Sequence, residues 1–437
     1  MQSTTMITPS LSKRFHWFLL PLLSVATSAL AEDWPKFLGP NGDNASPEKI
    51  LTAFPESGPK IEWSLDVNAG YGGSAIVGEE VFFMDRIDDQ KDVIHCVGLL
   101  DGKERWKWEY ACAGRINHPG SRGVPTVTED AVYASSGFGH VYCIDRSTHK
   151  ESWVVDVVKT FEADPPRFGY SIHPLIHGDL CLIAPTGDLV GLAALDKKTG
   201  KTVWKSESIG GSHSSPLLVT ILGKELVVMP GTHDGQLLLS GFDPNNGKRL
   251  LHYTEKLTSG RFNPIPNVTM VDESTAFLTE GYGFGTRLLK FAQNDGKIEA
   301  KLVKSNDVEG RIHPALKVGN QYYVSAVGGG GRRSRNKDSA GLVCFDQTGK
   351  ELWRTGNELK VSDGSIINVG GILVSQHGGD GSLRLIQPGS SYKELAKAKI
   401  FKGEPGNELW APLSFASGNL IMRSQNQIVC VNLGPTK

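Results

Sequence analysis

One phrase of sequence recurs along the chain and limits what it can fold into. In its clearest copies a β-prone run ends in Asp, a polar turn follows, and a second run ends in Trp, as in LAALDKKTGKTVW at residues 192–204. Similar copies end at Trp153 and Trp353, and a weaker one ends at Leu251. The Asp side chain can accept hydrogen bonds from the turn backbone, and the Gly can take a positive φ angle. We therefore expect these residues to recur for local structural reasons.

The spacing of this phrase predicts a β-propeller. The turn aspartates Asp145, Asp196 and Asp243 recur about every 48 residues, and a pair of alternating strands precedes each turn, as in HPLIHGDLCLIAP from His173. Eight such units can be read, each with about four short strands, which fits one propeller blade. The last unit lacks an outer strand, and KIEWSLDV at residues 60–67 can supply it. The predicted fold is all-β, an eight-bladed propeller of four-stranded antiparallel blades closed by the N-terminal strand.

The first residues have the features of a secretory signal peptide. Lys13 and Arg14 form a basic region, an apolar stretch follows, and Ala29-Leu30-Ala31 is a cleavage motif of small residues. We predict cleavage after Ala31 and a periplasmic or secreted product. No cysteine follows the predicted cleavage site, so a lipid anchor is not indicated.

The amino-acid composition argues against some classes of binding partner. The 46 Lys and Arg residues balance 47 Asp and Glu residues, so the basic surface of a nucleic-acid binder is absent. After the signal peptide, no apolar stretch reaches the roughly 18 residues of a transmembrane helix. The predicted organisation is a signal peptide at 1–31, an N-terminal extension at 32–59 and a single propeller at 60–437.

The six cysteines divide into two groups. Four of them share one position of the repeat and are predicted to pack in the core: Cys96, Cys143, Cys344 and Cys430. Cys112 and Cys181 lie outside this pattern. A disulfide between these two stays open, because connectivity does not follow from sequence.

The turn phrase with its terminal Trp resembles the repeat of the PQQ-like (pyrroloquinoline quinone) propeller family. The resemblance covers about residues 60–437, and the opening DWPKFLGPNGDNAS, from Asp33, is similar to the start of exported members. The family includes quinoprotein alcohol dehydrogenases and the BamB outer-membrane assembly factors. The resemblance therefore implies the fold, while the same blades occur in enzymes and in scaffolds.

The enzymes of this family bind the quinone over the central channel, with a calcium ion, a catalytic Asp, a stacking Trp and often two adjacent cysteines. This sequence has no adjacent cysteines and no CxxCH haem motif, and the calcium ligands of the family match no particular positions here. Nor does it contain a nucleophile elbow, a phosphate-binding loop or a metalloprotease motif. PQQ with calcium is the cofactor that the resemblance implies if the protein is an enzyme.

Residues that break the repeat are the candidates for function. Polar and aromatic side chains cluster just before the first strand of several units, where a ring of blades would bring them to one channel mouth. The predicted ligand-binding residues are Tyr71, Arg115, His118, Arg122, Arg167, His173, His213, Arg261, Asn263, Arg311, His313 and Trp410. Arg and His together can bind a carboxylate, sulfate or phosphate, and neutral imidazoles can hold a divalent metal. Alternatively, each residue caps a strand or bonds a neighbouring loop.

Loops after the second strand of the units form a second candidate surface. GYGFGTR from Gly281, HGGDGS from His377 and GGGGRRSRNK from Gly328 are the notable ones, and the last carries a local cluster of arginines. A solvated loop explains these segments equally well.

Two functions from different classes follow. The first is an exported binding or scaffold module that presents its channel mouth or loops to a protein, a polysaccharide or a small anion in the cell envelope. The alternative is a PQQ- or metal-dependent periplasmic oxidoreductase that acts on alcohols or sugars. The missing cysteine pair and haem motif favour the first function, and the aromatic-flanked mouth keeps the second open.

Overall fold

The structure, a computed structural model, describes residues 1–2, 32–257, 263–327, 340–359, 361–403, 405–406 and 408–435. The predicted cleavage site, Arg261 and the arginines of the Gly328 loop lie outside the described residues. In the described part of the chain, no helix has the length and apolarity needed to cross a membrane.

The described residues form seven hydrogen-bonded sheets, each containing a run of four antiparallel strands. Two strands come first, β1 (Ala45–Ser46) and β2 (Lys60–Asp66). The next sheet contains β3 (Ser74–Val77), β4 (Glu80–Ile87), β5 (Lys91–Gly98) and β6 (Glu104–Ala111). It is followed by β7 (Thr126–Val127), β8 (Ala131–Ser135), β9 (His140–Asp145) and β10 (Glu151–Asp156), and then by β11 (Leu175–His177), β12 (Leu180–Ile183), β13 (Ala193–Asp196) and β14 (Thr202–Lys205).

The second half of the chain continues in the same order. Its strands are β15 (Leu217–Ile221), β16 (Lys224–His233), β17 (Gln236–Phe242), β18 (Arg249–Lys256), β19 (Thr269–Asp272), β20 (Thr275–Glu280), β21 (Gly285–Asn294) and β22 (Lys297–Asn306). They are followed by β23 (Leu316–Val318), β24 (Gln321–Ala326), β25 (Gly341–Asp346), β26 (Glu351–Arg354), β27 (Ile366–Val369), β28 (Ile372–Gln376), β29 (Leu383–Ile386) and β30 (Glu394–Ala398). The last three are β31 (Ser414–Ala416), β32 (Asn419–Arg423) and β33 (Gln427–Asn432).

Three pairings connect these strands beyond the simple up-and-down order. One parallel pair, Leu251 with Ile298, joins β18 to β22 and so makes an eight-stranded sheet of two four-stranded runs. Strand β1 adds to β27 in parallel, and β2 pairs antiparallel with β33. The described residues include only two short helices, α1 (Val157–Phe161) and a 3-10 turn at Gly356–Glu358. The chain is therefore all-β, with the four-stranded sheets of a β-propeller.

The first strands of neighbouring sheets lie side by side. Strand β3 is next to both β7 and β31, and β23 is next to both β19 and β27. The segments that lead into these first strands therefore approach one another, and this proximity positions the candidate site.

The repeated turn has the local structure that its sequence predicts. The carboxylate of Asp145 accepts hydrogen bonds from the backbone N–H groups of Ser147 and Thr148, at 3.0 and 2.7 Å. Asp196 and Asp346 do the same in their own turns. These aspartates therefore stabilise the turns, because their carboxylate oxygens already accept hydrogen bonds from the turn backbone.

The Trp that ends each phrase packs against the turn of the following sheet. The indole N–H of Trp153 donates to the carbonyl of Lys197 at 3.0 Å, and Trp63 and Trp353 donate to backbone carbonyls in the same way. A Cβ on Gly200, whose φ is 69°, would lie 2.8 Å from the Trp153 ring. The Gly of the phrase is therefore required both for its φ angle and for this close approach.

We expect the substitution Gly200→Ala to lower the free energy of unfolding by about 2 to 4 kcal/mol, because it adds a clash with Trp153 to the strain of a positive φ. Gly223 is the matched control, since its φ is 74° and a Cβ there would meet no atom within 4 Å. Gly223→Ala should cost only about 1 kcal/mol. Urea unfolding of both variants measures the difference, and equal losses would contradict the packing role of Gly200.

The N-terminal extension runs across the first strands of several sheets. Trp34 pairs with Ile76 of β3 through hydrogen bonds of 2.8 and 2.9 Å, and the carbonyl of Pro35 accepts from Val127 of β7. Further along, Asn44 accepts from Asn368 of β27. The extension therefore contacts sheets that are far apart in the sequence.

All six cysteines are buried and free. The four repeat-position cysteines pack in the core as predicted, with at most 2% of each residue exposed. Cys112 and Cys181, which the sequence left open as a disulfide, are not bridged.

Candidate functional site

The segments that lead into the first strands converge on one cavity of about 290 Å³, which we call the mouth cavity. Eight of the predicted ligand-binding residues line it: Tyr71, His118, Arg122, His173, His213, Arg311, His313 and Trp410. They come together because each stands just before a first strand, and those strands lie side by side.

Three other predicted residues, which the structure describes, do not line this cavity. Arg115 is exposed and forms an ion pair with Asp89 at 3.7 Å. Arg167 places its guanidinium 5.2 Å from the ring centre of Phe168, which lines the cavity in its place. Asn263 is not among the lining residues, and Arg261 lies outside the described ones.

Several lining residues were missed by the sequence reasoning. They are Phe37, Phe168, Ser171, Ser215, Ile265, Asn267, Tyr282, Ile312, Glu408 and Pro412. Two of these residues could have been predicted from their neighbours in the sequence. Glu408 lies two positions before Trp410, and Phe168 is next to Arg167. Phe37 carries no such signal, because it belongs to the N-terminal extension and reaches the cavity only through tertiary packing.

Arg122 is a buried cation that lines the mouth cavity. It is 9% exposed, and one guanidinium nitrogen, Nη2, donates to the carbonyls of Asn117, at 2.5 Å, and His118. Its Nε has no partner, and among the described residues no carboxylate forms an ion pair with it. Burial lowers the pKa of Arg122 to about 10, so the guanidinium stays charged at neutral pH.

The other charged groups of the cavity are already paired. Glu408 accepts from the Tyr71 hydroxyl at 3.2 Å and contacts Nδ1 of His118 at 3.0 Å. Burial and the Glu408 charge raise the pKa of Tyr71 to about 12. Arg311, whose guanidinium lies 6.0 Å from the ring centre of Trp410, binds the buried carboxylate of Asp363. Arg122 is thus the lining cation without an acidic partner in the described part of the chain.

Aromatic rings form much of the wall. Tyr71 and Trp410 lie 5.4 Å apart between ring centres, and His118 is within 6 Å of both. Phe37 packs on His173 at 4.0 Å. Such walls bind flat apolar groups, since aromatic faces supply large contact areas.

Three imidazoles of the cavity are neutral. Burial lowers the pKa of His213 and of His313 to about 4, and that of His173 to about 3. The backbone N–H of Val124 donates to Nδ1 of His173 at 2.8 Å, so Nε2 of this ring carries the proton. These rings can accept or donate hydrogen bonds, but they add no charge.

We expect acid to destabilise the fold through these buried histidines. An unfolded His takes up its proton near pH 6.5, whereas folded His313 stays neutral down to about pH 4. The contribution of His313 is therefore complete above pH 6.5 and falls by about 1.4 kcal/mol per pH unit between 6.5 and 4. His313→Phe should flatten the pH dependence of urea unfolding by this slope, and parallel wild-type and variant curves would contradict the assignment.

The calcium ion implied by the enzymes of the resembling family does not fit these residues. The carboxylates of Glu408 and Asp363 already have protein partners, and burial raises the pKa of Glu280 well above its usual value. In the described ranges no three His, Cys, Asp or Glu side chains are grouped as metal ligands. The cluster of imidazoles that could have held a divalent metal is likewise not assembled there.

Comparisons with known proteins agree with this fold. A family model described as "Outer membrane protein assembly factor BamB" matches residues 90–355, more than half of the chain. BamB from Moraxella catarrhalis is similar in structure, with a TM-score of 0.59 and 16% identity over 86% of this chain and 98% of that one.

Two enzymes are similar in structure as well. For a europium-containing methanol dehydrogenase the TM-score is 0.65, with 14% identity over 92% of this chain and 89% of that one. For the quinohemoprotein alcohol dehydrogenase from Comamonas testosteroni the TM-score is 0.61, with 14% identity over 93% of this chain and 81% of that one. No curated protein sequence matches the chain. At these identities the likeness to solved structures establishes the fold alone.

Proposed function

Because this chain belongs to the PQQ-like propeller family of the outer membrane protein assembly factor BamB, we propose that it is an exported binding propeller whose mouth cavity holds a small organic anion. In this proposal the propeller has eight blades, and β2 completes the last one. The pairing of β2 with β33 and the position of β3 beside β31 support such closure. The family also supports a protein partner in the cell envelope.

One observation carries the proposal, the unpaired charge of Arg122. A buried cation without a counter-charge lowers stability, because removing it from water costs several kcal/mol. Its unpartnered Nε adds the cost of an unsatisfied donor. An anionic group in the cavity would supply the missing counter-charge.

The side chains of the cavity wall indicate the chemical class of the rest of the ligand. The aromatic rings suit a flat apolar body, and the cavity volume of about 290 Å³ suits a small molecule. We therefore favour an aromatic carboxylate over a polysaccharide chain as the occupant.

Titration with matched acids and amides tests the proposal. Trp410 lines the cavity, so tryptophan fluorescence should respond to binding. Phenylacetate is expected to bind saturably, and its neutral analogue phenylacetamide at least about 10-fold more weakly, because the amide brings no charge to Arg122. Equal binding of the two compounds, or no binding of any small carboxylate, would refute the proposal.

The alternative is an oxidoreductase, and the aromatic-walled cavity favours it. PQQ would lie between such rings and would supply the redox chemistry when bound. The test is to titrate the protein with PQQ and calcium, and then to assay dye reduction with alcohols and sugars. Turnover that depends on added PQQ would establish the enzyme, and its absence together with phenylacetate binding would leave the binding function.

A further inference from the structure

Glu408 is paired through only one of its two carboxylate oxygens. Its contacts with Tyr71 and His118 both use Oε2. Oε1 has no partner in the described part of the chain, and it is not among the fully buried atoms that lack one. Because the side chain is 40% exposed and lines the mouth cavity, Oε1 is accessible to a ligand there.

The contacts of Oε2 do not cancel the negative charge of Glu408. The Tyr71 donor is a neutral hydroxyl, whose pKa is raised to about 12. Nδ1 of His118 brings a positive charge only when the ring is protonated. Among the described residues, no Lys or Arg forms an ion pair with Glu408, which is the acidic side chain of the cavity lining.

Arg122 also has an accessible atom. Both hydrogen bonds of its guanidinium use Nη2, and Nε is fully buried. Nη1 has no partner among the described residues and is not among the fully buried atoms, so it reaches the accessible surface. Arg122 contacts the carbonyl of His118, and Glu408 contacts the ring of the same residue. One residue therefore bridges the two charged groups.

A ligand with a single charge matches only half of this arrangement. A carboxylate at Arg122 would meet the negative charge of Glu408 in the same cavity, and like charges repel. A ligand that carries a carboxylate and an ammonium group on neighbouring atoms would form a charge-assisted hydrogen bond with each residue. One free oxygen is enough for an ammonium group, whereas a calcium ion takes about six to eight oxygens.

We propose that the ligand of the mouth cavity is a zwitterion, an α-amino acid with an aromatic side chain. Its carboxylate binds Arg122, its ammonium group binds Oε1 of Glu408, and its ring packs on the aromatic wall. This inference rests on the proposed binding of a carboxylate at Arg122 and extends it by assigning Glu408 as the residue that selects the ammonium group.

Three compounds that share one carbon skeleton test the proposal. Phenylalanine carries both charges, 3-phenylpropanoate lacks the ammonium group, and phenethylamine lacks the carboxylate. At neutral pH we expect one enantiomer of phenylalanine to bind about 10-fold more tightly than 3-phenylpropanoate, a moderate effect because Glu408 is partly exposed to solvent. Phenethylamine should bind most weakly, because Arg122 repels it. Tryptophan fluorescence titration measures the three dissociation constants.

The substitution Glu408→Gln should change two affinities in opposite directions. Phenylalanine should bind about 5-fold more weakly, and 3-phenylpropanoate about 2-fold more tightly, because the negative charge is gone while the amide oxygen still accepts from Tyr71. A purely structural role of Glu408 would weaken both ligands alike. Asp89→Asn is the matched control, since Asp89 is 39% exposed and lies outside the cavity lining, and its affinity ratio should equal that of the wild type.

A second measurement needs no variant and keeps the test decisive if Glu408→Gln folds poorly. In a crystal structure of the wild type with bound phenylalanine, the ammonium nitrogen should lie within hydrogen-bond distance of Oε1 of Glu408. An ammonium group that points away from Glu408 would overturn the assignment.

The outcomes separate this inference from the function on which it rests. If 3-phenylpropanoate binds through Arg122 but neither enantiomer of phenylalanine binds more tightly, the zwitterion assignment is wrong and anion binding stands. The same conclusion follows if Glu408→Gln keeps the preference for phenylalanine. If phenethylamine binds as tightly as phenylalanine, or if no carboxylate binds at all, both proposals fall.

Discussion

Replacing Arg122 with Gln is expected to weaken phenylacetate binding by about 30- to 150-fold. This corresponds to about 2 to 3 kcal/mol, the usual contribution of a hydrogen bond to a charged group. The effect is large because the guanidinium is buried and has no carboxylate partner among the described residues, so the ligand faces little competition for it. Tryptophan fluorescence titration of wild type and variant measures the change.

Arg115→Gln is the matched control for this prediction. Arg115 was also predicted at the mouth, but it is exposed, pairs with Asp89 and does not line the cavity. Its replacement should change phenylacetate affinity by less than about 2-fold, since exposed charges are screened. If both variants lose affinity equally, the anion is held by the general positive potential of the face and not by Arg122.

Arg423→Ala is expected to lower the free energy of unfolding by about 3 to 5 kcal/mol. Arg423 ends β32 in the last part of the chain, and its guanidinium lies 3.5 Å from the buried carboxylate of Asp85 in β4. It also donates to the carbonyls of Met84, Gly72 and Asn68. Its removal leaves a buried charge and several carbonyls without partners, and this is the origin of the large loss.

Urea unfolding with Arg105→Ala as control tests this prediction. Arg105 also forms an ion pair, with Asp101 at 3.2 Å, but both side chains are exposed. Its loss should cost less than about 1 kcal/mol. Equal stability of the two variants would show that the link between the last and first sheets contributes little, and would remove one support for the proposed ring closure.

The repeat predicted a large part of the architecture. The turn phrase correctly predicted local structural roles for Asp196, Gly200 and Trp204. These roles depend only on the turn itself or on the sheet next to it. The same repeat placed the polar residues before each first strand, so most of the proposed site residues were found together. The β-propeller family followed from these residues as well, and the comparisons confirm it.

The sequence did not show which of two nearby polar residues would line the cavity. Arg115 and Arg122 look equivalent in sequence, yet one is exposed and paired with Asp89 while the other is buried and lacks an acidic partner. Which of two arginines near a strand turns inward depends on the packing around it, and the repeat pattern does not contain this information.

The sequence by itself determined the repeated blade unit and the positions of the side chains that meet at the mouth. These features depend on alternating strands and tight turns, which act over a few residues. Only the tertiary structure determined which side chains line the cavity and which of their polar atoms have hydrogen-bond partners. Glu408 lies 337 residues from Tyr71 and 290 from His118 along the chain, and Phe37 arrives from the N-terminal extension. Contacts across such separations exist only once the sheets have packed together, and they leave Nε of Arg122 buried without a hydrogen-bond partner among the described residues.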